Sequence, residues 1–205
     1  MKTLRTCINS IFAGAMIAIG SAIYLNCPNR IVGAFLFSIG LIVIMEFGFD
    51  LYTGRAGYTR TIQDVAYLTL TLITNAIGCM FVVLLTTPET AHSIWVSKLE
   101  APFYIAFAKA VVCGILIYVC VNQNKYRTKE VSIMTTLVAI PAFILCGAEH
   151  SIANICFMFA SKSISWEGVW FILIVAIGNA AGSLTLSIWT QKRNALYQNN
   201  KNRHS

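Results

Sequence analysis

Six long apolar runs separated by short polar stretches set the terms for this chain. They cover residues 8–25, 31–47, 65–85, 102–121, 131–160 and 168–190, the fifth with a polar interruption. A helix needs roughly 20 apolar residues to cross a hydrocarbon layer about 30 Å thick. Inside lipid a backbone must satisfy its own N–H and C=O groups, so runs of this length are read as helices. Only 11% of the 205 residues are charged and the mean hydropathy is +0.70, where soluble domains carry about 25% charged residues. The expectation is an all-α integral membrane protein with six transmembrane helices. Residues 1–190 make one domain, and 191–205 form a basic cytoplasmic tail expected to be disordered.

The net charge of +7 does not indicate nucleic acid, because the basic residues sit singly between apolar runs. Their distribution reads instead as topology. With both termini inside, the inner segments hold eleven cations: Lys2, Arg5, Arg55, Arg60, Lys125, Arg127, Lys129, Lys192, Arg193, Lys201 and Arg203. The outer loops hold three, Arg30, Lys98 and Lys162. Positive residues favour the cytoplasmic face, so both termini are expected to be cytoplasmic and the chain to lie in the cell membrane. The basic start followed by an apolar run resembles a signal peptide, but the run spans and 26–30 is a poor cleavage site, so an uncleaved first helix is expected. Seven cysteines show no C-x-x-C spacing, and no disulfide framework, metal site or cofactor is expected.

Two of the runs are broken. The second meets Gly48-Phe49-Asp50-Leu51-Tyr52-Thr53-Gly54, with residues 56–62 as a short second half-helix. The fifth is interrupted at Gly147-Ala148-Glu149-His150-Ser151-Ile152-Ala153-Asn154. Such breaks at membrane depth are tolerated only where the backbone is buried or lines a cavity. Asn75-Ala76-Ile77-Gly78 in the third run pairs with Asn179-Ala180-Ala181-Gly182 in the sixth. Three spans per half place the second half upside down relative to the first. Two inverted three-helix repeats, broken in helices 2 and 5, are therefore expected, with a substrate site at the membrane midplane.

Ionisable groups at this depth are costly and mark function. His150 is the only histidine inside an apolar run, and imidazole exchanges protons near neutral pH. Half-helix N-termini offer free N–H groups to an anion. Together these suit a weak-acid anion. Thr53 and Ser151 either touch substrate or cap half-helices. Asp50 and Glu149 either line the path or, the reading preferred here, accept hydrogen bonds from exposed backbone N–H groups at the breaks. Asn75, Asn179 and Asn154 are read as braces of the broken backbone, an amide being both donor and acceptor. Phe37, Leu41 and Phe143 read as core. Lys109 reads as a snorkelling cation, 86–101 as a loop, and Glu46 has no assigned partner.

These motifs resemble the formate/nitrite transporter family. The resemblance rests on the 147–154 stretch, on Phe37-Ser38-Ile39-Gly40-Leu41 leading to Asp50-Leu51-Tyr52-Thr53, and on Gly178-Asn179, and it covers about residues 8–190. It implies an aquaporin-like fold and a homopentamer with one pore per protomer. It implies that His150 is the central pore histidine and Thr53 the threonine of the helix-2 break. Leu51 and Tyr52 match one constriction; Phe37, Leu41 and Phe143 match apolar constriction residues around the histidine. Cys113 falls where many members carry a pore asparagine, and Lys98 falls near the vestibule lysine. The amphipathic helix that usually precedes the first span in the family is not expected here.

The expectation is a channel or transporter for a small monovalent anion of the formate, nitrite or hydrosulfide type, with His150 as proton relay and protons as a partner. The alternative is a pore for neutral solutes such as water or the undissociated acid. No H-E-x-x-H, no G-x-S-x-G and no paired catalytic acids point to an enzyme.

Overall fold

The computed structural model describes residues 2–203, without the side chains of Lys2, Pro88 and 195–203. It is all helical: α1 Lys2–Asn26, α2 Arg30–Phe47, α3 Tyr52–Ala56, α4 Ile62–Cys79 with a 3-10 extension Met80–Leu84, α5 Pro88–Leu99, α6 Phe103–Tyr126, α7 Lys129–Leu145, α8 Ser151–Ala160 and α9 Trp166–Arg203. Among the described residues, five helices are long and apolar enough to cross a membrane: α1, α2, α4, α6 and α9. The fifth apolar run is divided instead between α7 and the shorter α8.

Helix α1 packs on α2 and α4, α6 packs on α7 and α9, and α2 against α7 joins the two groups. The short helices after the breaks lie among the long ones: α3 touches α9, α4 and α6, and α8 touches α4, α5, α1 and α9. Glycines allow the closest approaches. A Cβ on Gly14 of α1 would stand 2.0 Å from the Asn75 carbonyl oxygen of α4. A Cβ on Gly114 of α6 would stand 2.1 Å from the Asn179 carbonyl oxygen of α9. Small residues at such crossings let backbones pack together in the absence of a hydrophobic drive.

Both breaks use the same local device. Gly48 ends α2 at φ 66°, and Gly147 follows α7 at φ 72°. This left-handed backbone suits glycine, which has no Cβ to clash. The chain then runs extended for a few residues and restarts as α3 or α8.

Four expectations need correction. The half-helix expected at 56–62 begins earlier, at Tyr52, because the Tyr52 N–H is held by Asn75. The expected loop 86–101 contains α5, which has a proline in its first turn, Glu89 near its start and Lys98 near its end. Those placements suit the helix dipole. Ala91 and Trp95, four apart, bury its inner face, and Trp95 packs edge-on to Phe171. Glu46 does have a partner, Lys129 at the start of α7. Helix α9 carries helical backbone on through Arg203, the stretch read from sequence as a disordered tail.

Candidate functional site

Two cavities of about 520 Å³ each enter the protein and end on different residues. The first, called here the Lys98 vestibule, reaches Phe37, Phe143, Glu149 and His150. The second, the Arg55 vestibule, reaches Leu41 and Leu51 and holds Arg55, Lys125 and Asp64. Leu41 stands one helical turn beyond Phe37 on α2, so the same buried face presents an aromatic ring to one cavity and an aliphatic side chain to the other.

Thr53 and His150 meet deep in the protein. Both are buried, and Thr53 Oγ1 lies 3.1 Å from His150 Nε2. His150 is the N-cap of α8, its Nδ1 accepting from the Ala153 N–H at 3.2 Å. A neutral imidazole that accepts at Nδ1 carries its proton on Nε2. The Nε2–H therefore donates to Thr53 Oγ1 and leaves the Thr53 hydroxyl hydrogen free to donate onward. The Phe143 ring stacks on the imidazole at 6.0 Å between centroids, and Phe37 meets Phe143 edge-on at 6.2 Å.

The breaks are held by two asparagines in parallel arrangements. Asn75 Oδ1 accepts from the Tyr52 N–H, while its amide donates to the Ser10 and Asp50 carbonyls. Asn179 Oδ1 accepts from the Ser151 N–H, while its amide donates to the Ala110 and Glu149 carbonyls. Each fully buried side chain ties one long helix to another and to the restart of a broken one. Each also satisfies backbone groups that are costly to leave unpaired away from water.

These bonds revise two sequence readings. Of the amides expected to face an anion, the Tyr52, Ser151 and Ala153 N–H groups are already engaged by Asn75, Asn179 and His150. The carboxylates do not serve the broken backbone either. Glu149 Oε2 accepts from Lys98 Nζ at 2.6 Å and from the Asn154 amide at 2.9 Å. Asp50 Oδ1 lies 3.3 Å from Arg55 Nη1. The asparagines reach the backbone first because α4 and α9 pass directly behind the restarts.

The remaining residues divide. Leu51 lines the Arg55 vestibule, whereas Tyr52 is buried and its hydroxyl donates to the Ala176 carbonyl at 3.1 Å. Ser151 Oγ is buried without a hydrogen-bond partner and lines neither cavity; His150, not Ser151, caps α8. Cys113 is fully buried in α6 and also lines neither cavity. Lys98 lies on α5 at the wall of its vestibule, its ammonium 5.6 Å from the Phe157 ring centroid. Lys109 and Arg30 line that vestibule too. The sequence signal that places Lys109 here is its position four residues before buried Cys113, beside the inward face of α6.

A family model described as formate/nitrite transporter matches residues 1–191. The nitrite transporter NirC of Escherichia coli (strain K12) is 27% identical over 188 residues, covering 78% of this chain and 68% of that protein. The formate channel FocA of Haemophilus influenzae is 24% identical over 179 residues, covering 72% of this chain and 63% of that channel. Among solved structures, a pentameric formate channel with formate bound superposes with a TM-score of 0.80 at 19% identity, over 95% of this chain and 98% of that one. A channel described as an FNT family ion channel superposes at 0.79 with 24% identity, over 92% and 90%.

Proposed function

The chain belongs to the formate/nitrite transporter family, and from that premise we propose that it carries a small monovalent weak-acid anion, of the formate, nitrite or hydrosulfide type, across the cell membrane. The observation that carries this reading is the buried Thr53–His150 pair, in which His150 lines the Lys98 vestibule and Thr53 adjoins Gly54 of the Arg55 vestibule. A charge at mid-bilayer costs at least about 2.5–3.5 kcal/mol, a factor of roughly a hundred in rate. The anion enters the Lys98 vestibule, meets the ring formed by Phe37 and Phe143, and takes a proton from His150 in its imidazolium form; vestibule water supplies that proton, so the imidazole ends each passage neutral. It passes the Leu41 and Leu51 side chains as the neutral acid and is released in the Arg55 vestibule. Because the Nδ1 of His150 is occupied as an acceptor, the Nε2–H and the Thr53 hydroxyl are the donors presented to the anion.

In this reading the paired arrangements at Asn75 and Asn179 mark two inverted three-helix halves, α7 with α8 acting as the sixth span of an aquaporin-like fold. Residues 1–190 act as one channel domain, with both termini and the tail 191–205 cytoplasmic. Five copies assemble as in the pentameric formate channel, each with its own pore. Ser151 and Cys113 shape the walls from behind, and Tyr52 holds the second constriction through α9.

The test is a proteoliposome panel of formate, nitrite, hydrosulfide and lactate across pH, for wild type, His150→Phe and Cys113→Asn. His150→Phe is expected to abolish anion flux. Unchanged flux at every pH would remove the proton-relay role, and flux tracking only the undissociated acid would favour a neutral-solute pore.

A further inference from the structure

We propose that Lys109, on α6, is the cation that recruits the anion into the Lys98 vestibule and sets the preference for charged over neutral solutes there. The proposal rests on the anion-transport reading above.

Three cations line this vestibule: Arg30, Lys98 and Lys109, with Glu149 the single carboxylate. Glu149 is committed to Lys98, at 2.6 Å in a pair whose side chains are 18% and 7% exposed. That pair is close to electrically neutral from the cavity. Arg30 donates to the Tyr24 hydroxyl at 3.3 Å and is exposed. Lys109 is half-buried on the cavity wall and makes no ion pair among the described residues. Arg30 likewise makes no ion pair among the described residues but is exposed, where water and salt screen it, so Lys109 is the half-buried cation whose field is left for a substrate.

Its placement is built rather than incidental. The Lys109 carbonyl accepts from the Glu149 N–H at 3.4 Å, which registers this turn of α6 against the broken segment. Beyond its chain neighbours, the atom among the described residues within 4 Å of where a Gly147 Cβ would stand is Lys109 Nζ, at 3.8 Å. Gly147 thus supplies the left-handed turn and leaves the ammonium room, two residues before Glu149 and three before His150. A cleft lined by one sign of charge with low-dielectric walls concentrates counter-ions and speeds their entry by about 10- to 1,000-fold. The same field does nothing for an uncharged solute.

The experiment compares Lys109→Gln, Lys109→Arg and Lys98→Gln in proteoliposomes, measuring formate flux against concentration and ionic strength, and undissociated-acid flux at low pH. Lys109→Gln is expected to raise the half-saturating formate concentration about tenfold, the low end of electrostatic focusing, well beyond any change in maximal rate. It should flatten the salt dependence and spare acid flux. Lys109→Arg should restore both the concentration dependence and the salt dependence. The proposal is overturned if Lys109→Gln leaves half-saturation and salt dependence unchanged, or if Lys98→Gln alone produces those effects. Wild-type protein that moves no anion overturns the transport reading, and the recruiting role with it. Anion flux in wild type with an inert Lys109 substitution overturns only the recruiting role.

Discussion

Thr53 Oγ1 and His150 Nε2 stand 3.1 Å apart although 97 positions separate them in the chain. Each follows a helix break, and neither break would bring its residue to the other without the packing of α3 and α8 among the long helices. The pair holds the imidazole in one tautomer, with Nε2 donating and Nδ1, as the cap of α8, accepting from the Ala153 N–H. Chemistry that depends on a proton at a defined atom then depends on both helix restarts at once.

Thr53→Val keeps the shape and removes the acceptor. A buried donor without a partner costs about 1–3 kcal/mol, so anion flux is expected to fall roughly tenfold to a hundredfold. The protein should remain folded, since no backbone bond is touched. Stopped-flow measurement of formate entry into proteoliposomes, alongside thermal unfolding, checks both halves of the expectation.

Asn179→Leu leaves the Ser151 N–H and the Ala110 and Glu149 carbonyls without their amide partner. The Ala110 carbonyl keeps its helical donor within α6, so at about 1 kcal/mol or more for each of the other two groups stability should fall on the order of 2 kcal/mol. Asn75→Leu should cost a similar amount through Tyr52, Ser10 and Asp50. Thermal unfolding in detergent of the two single variants reads this directly. A variant losing much less would mean that water takes over the bonds.

Gly14→Ala and Gly48→Ala should differ sharply. The first places a Cβ 2.0 Å from the Asn75 carbonyl oxygen, so α1 and α4 must separate. The second meets nothing within 4 Å among the described residues beyond its chain neighbours and carries only the strain of φ 66°, about 1–2 kcal/mol for a left-handed residue with a side chain. Melting temperatures should therefore drop far more for Gly14→Ala, by several kcal/mol equivalent as in overpacked cores.

The Lys98–Glu149 pair is expected to show strong coupling. Removing one partner of a buried ion pair costs about 3–5 kcal/mol because the other charge is stranded. Glu149→Gln and Lys98→Met should each destabilise, and the double variant should cost less than the sum. Unfolding of all four proteins closes the cycle. Additive costs would show that solvent already screens the pair.

Much of this protein can be read without coordinates. Apolar runs of spanning length identify helices, glycines bracketing polar residues identify the breaks at 48–54 and 147–154, and the histidine inside an apolar run singles itself out. These signals are local: hydropathy over a window and the backbone freedom of a single glycine are properties of contiguous sequence. The α5 helix was less legible, because its inner face is two residues, Ala91 and Trp95, and its polar face looks like a loop. The role of Lys109 was hidden because one cation in an apolar helix reads the same whether it snorkels or lines a cavity.

The tertiary structure alone decided which polar group meets which. Asp50 and Glu149 look equally able to brace the breaks, yet α4 and α9 lie close behind and Asn75 and Asn179 reach the backbone first. Glu149 is left for Lys98, and Lys109 is left facing the vestibule. Those choices depend on helices brought within bonding distance at glycine-lined crossings such as Gly14–Asn75 and Gly114–Asn179. A linear sequence specifies how far each helix runs and where it breaks. Hydrogen-bond and charge pairing follow from distances between segments about a hundred residues apart in the chain, such as Thr53 and His150, and only the packed helices set those distances.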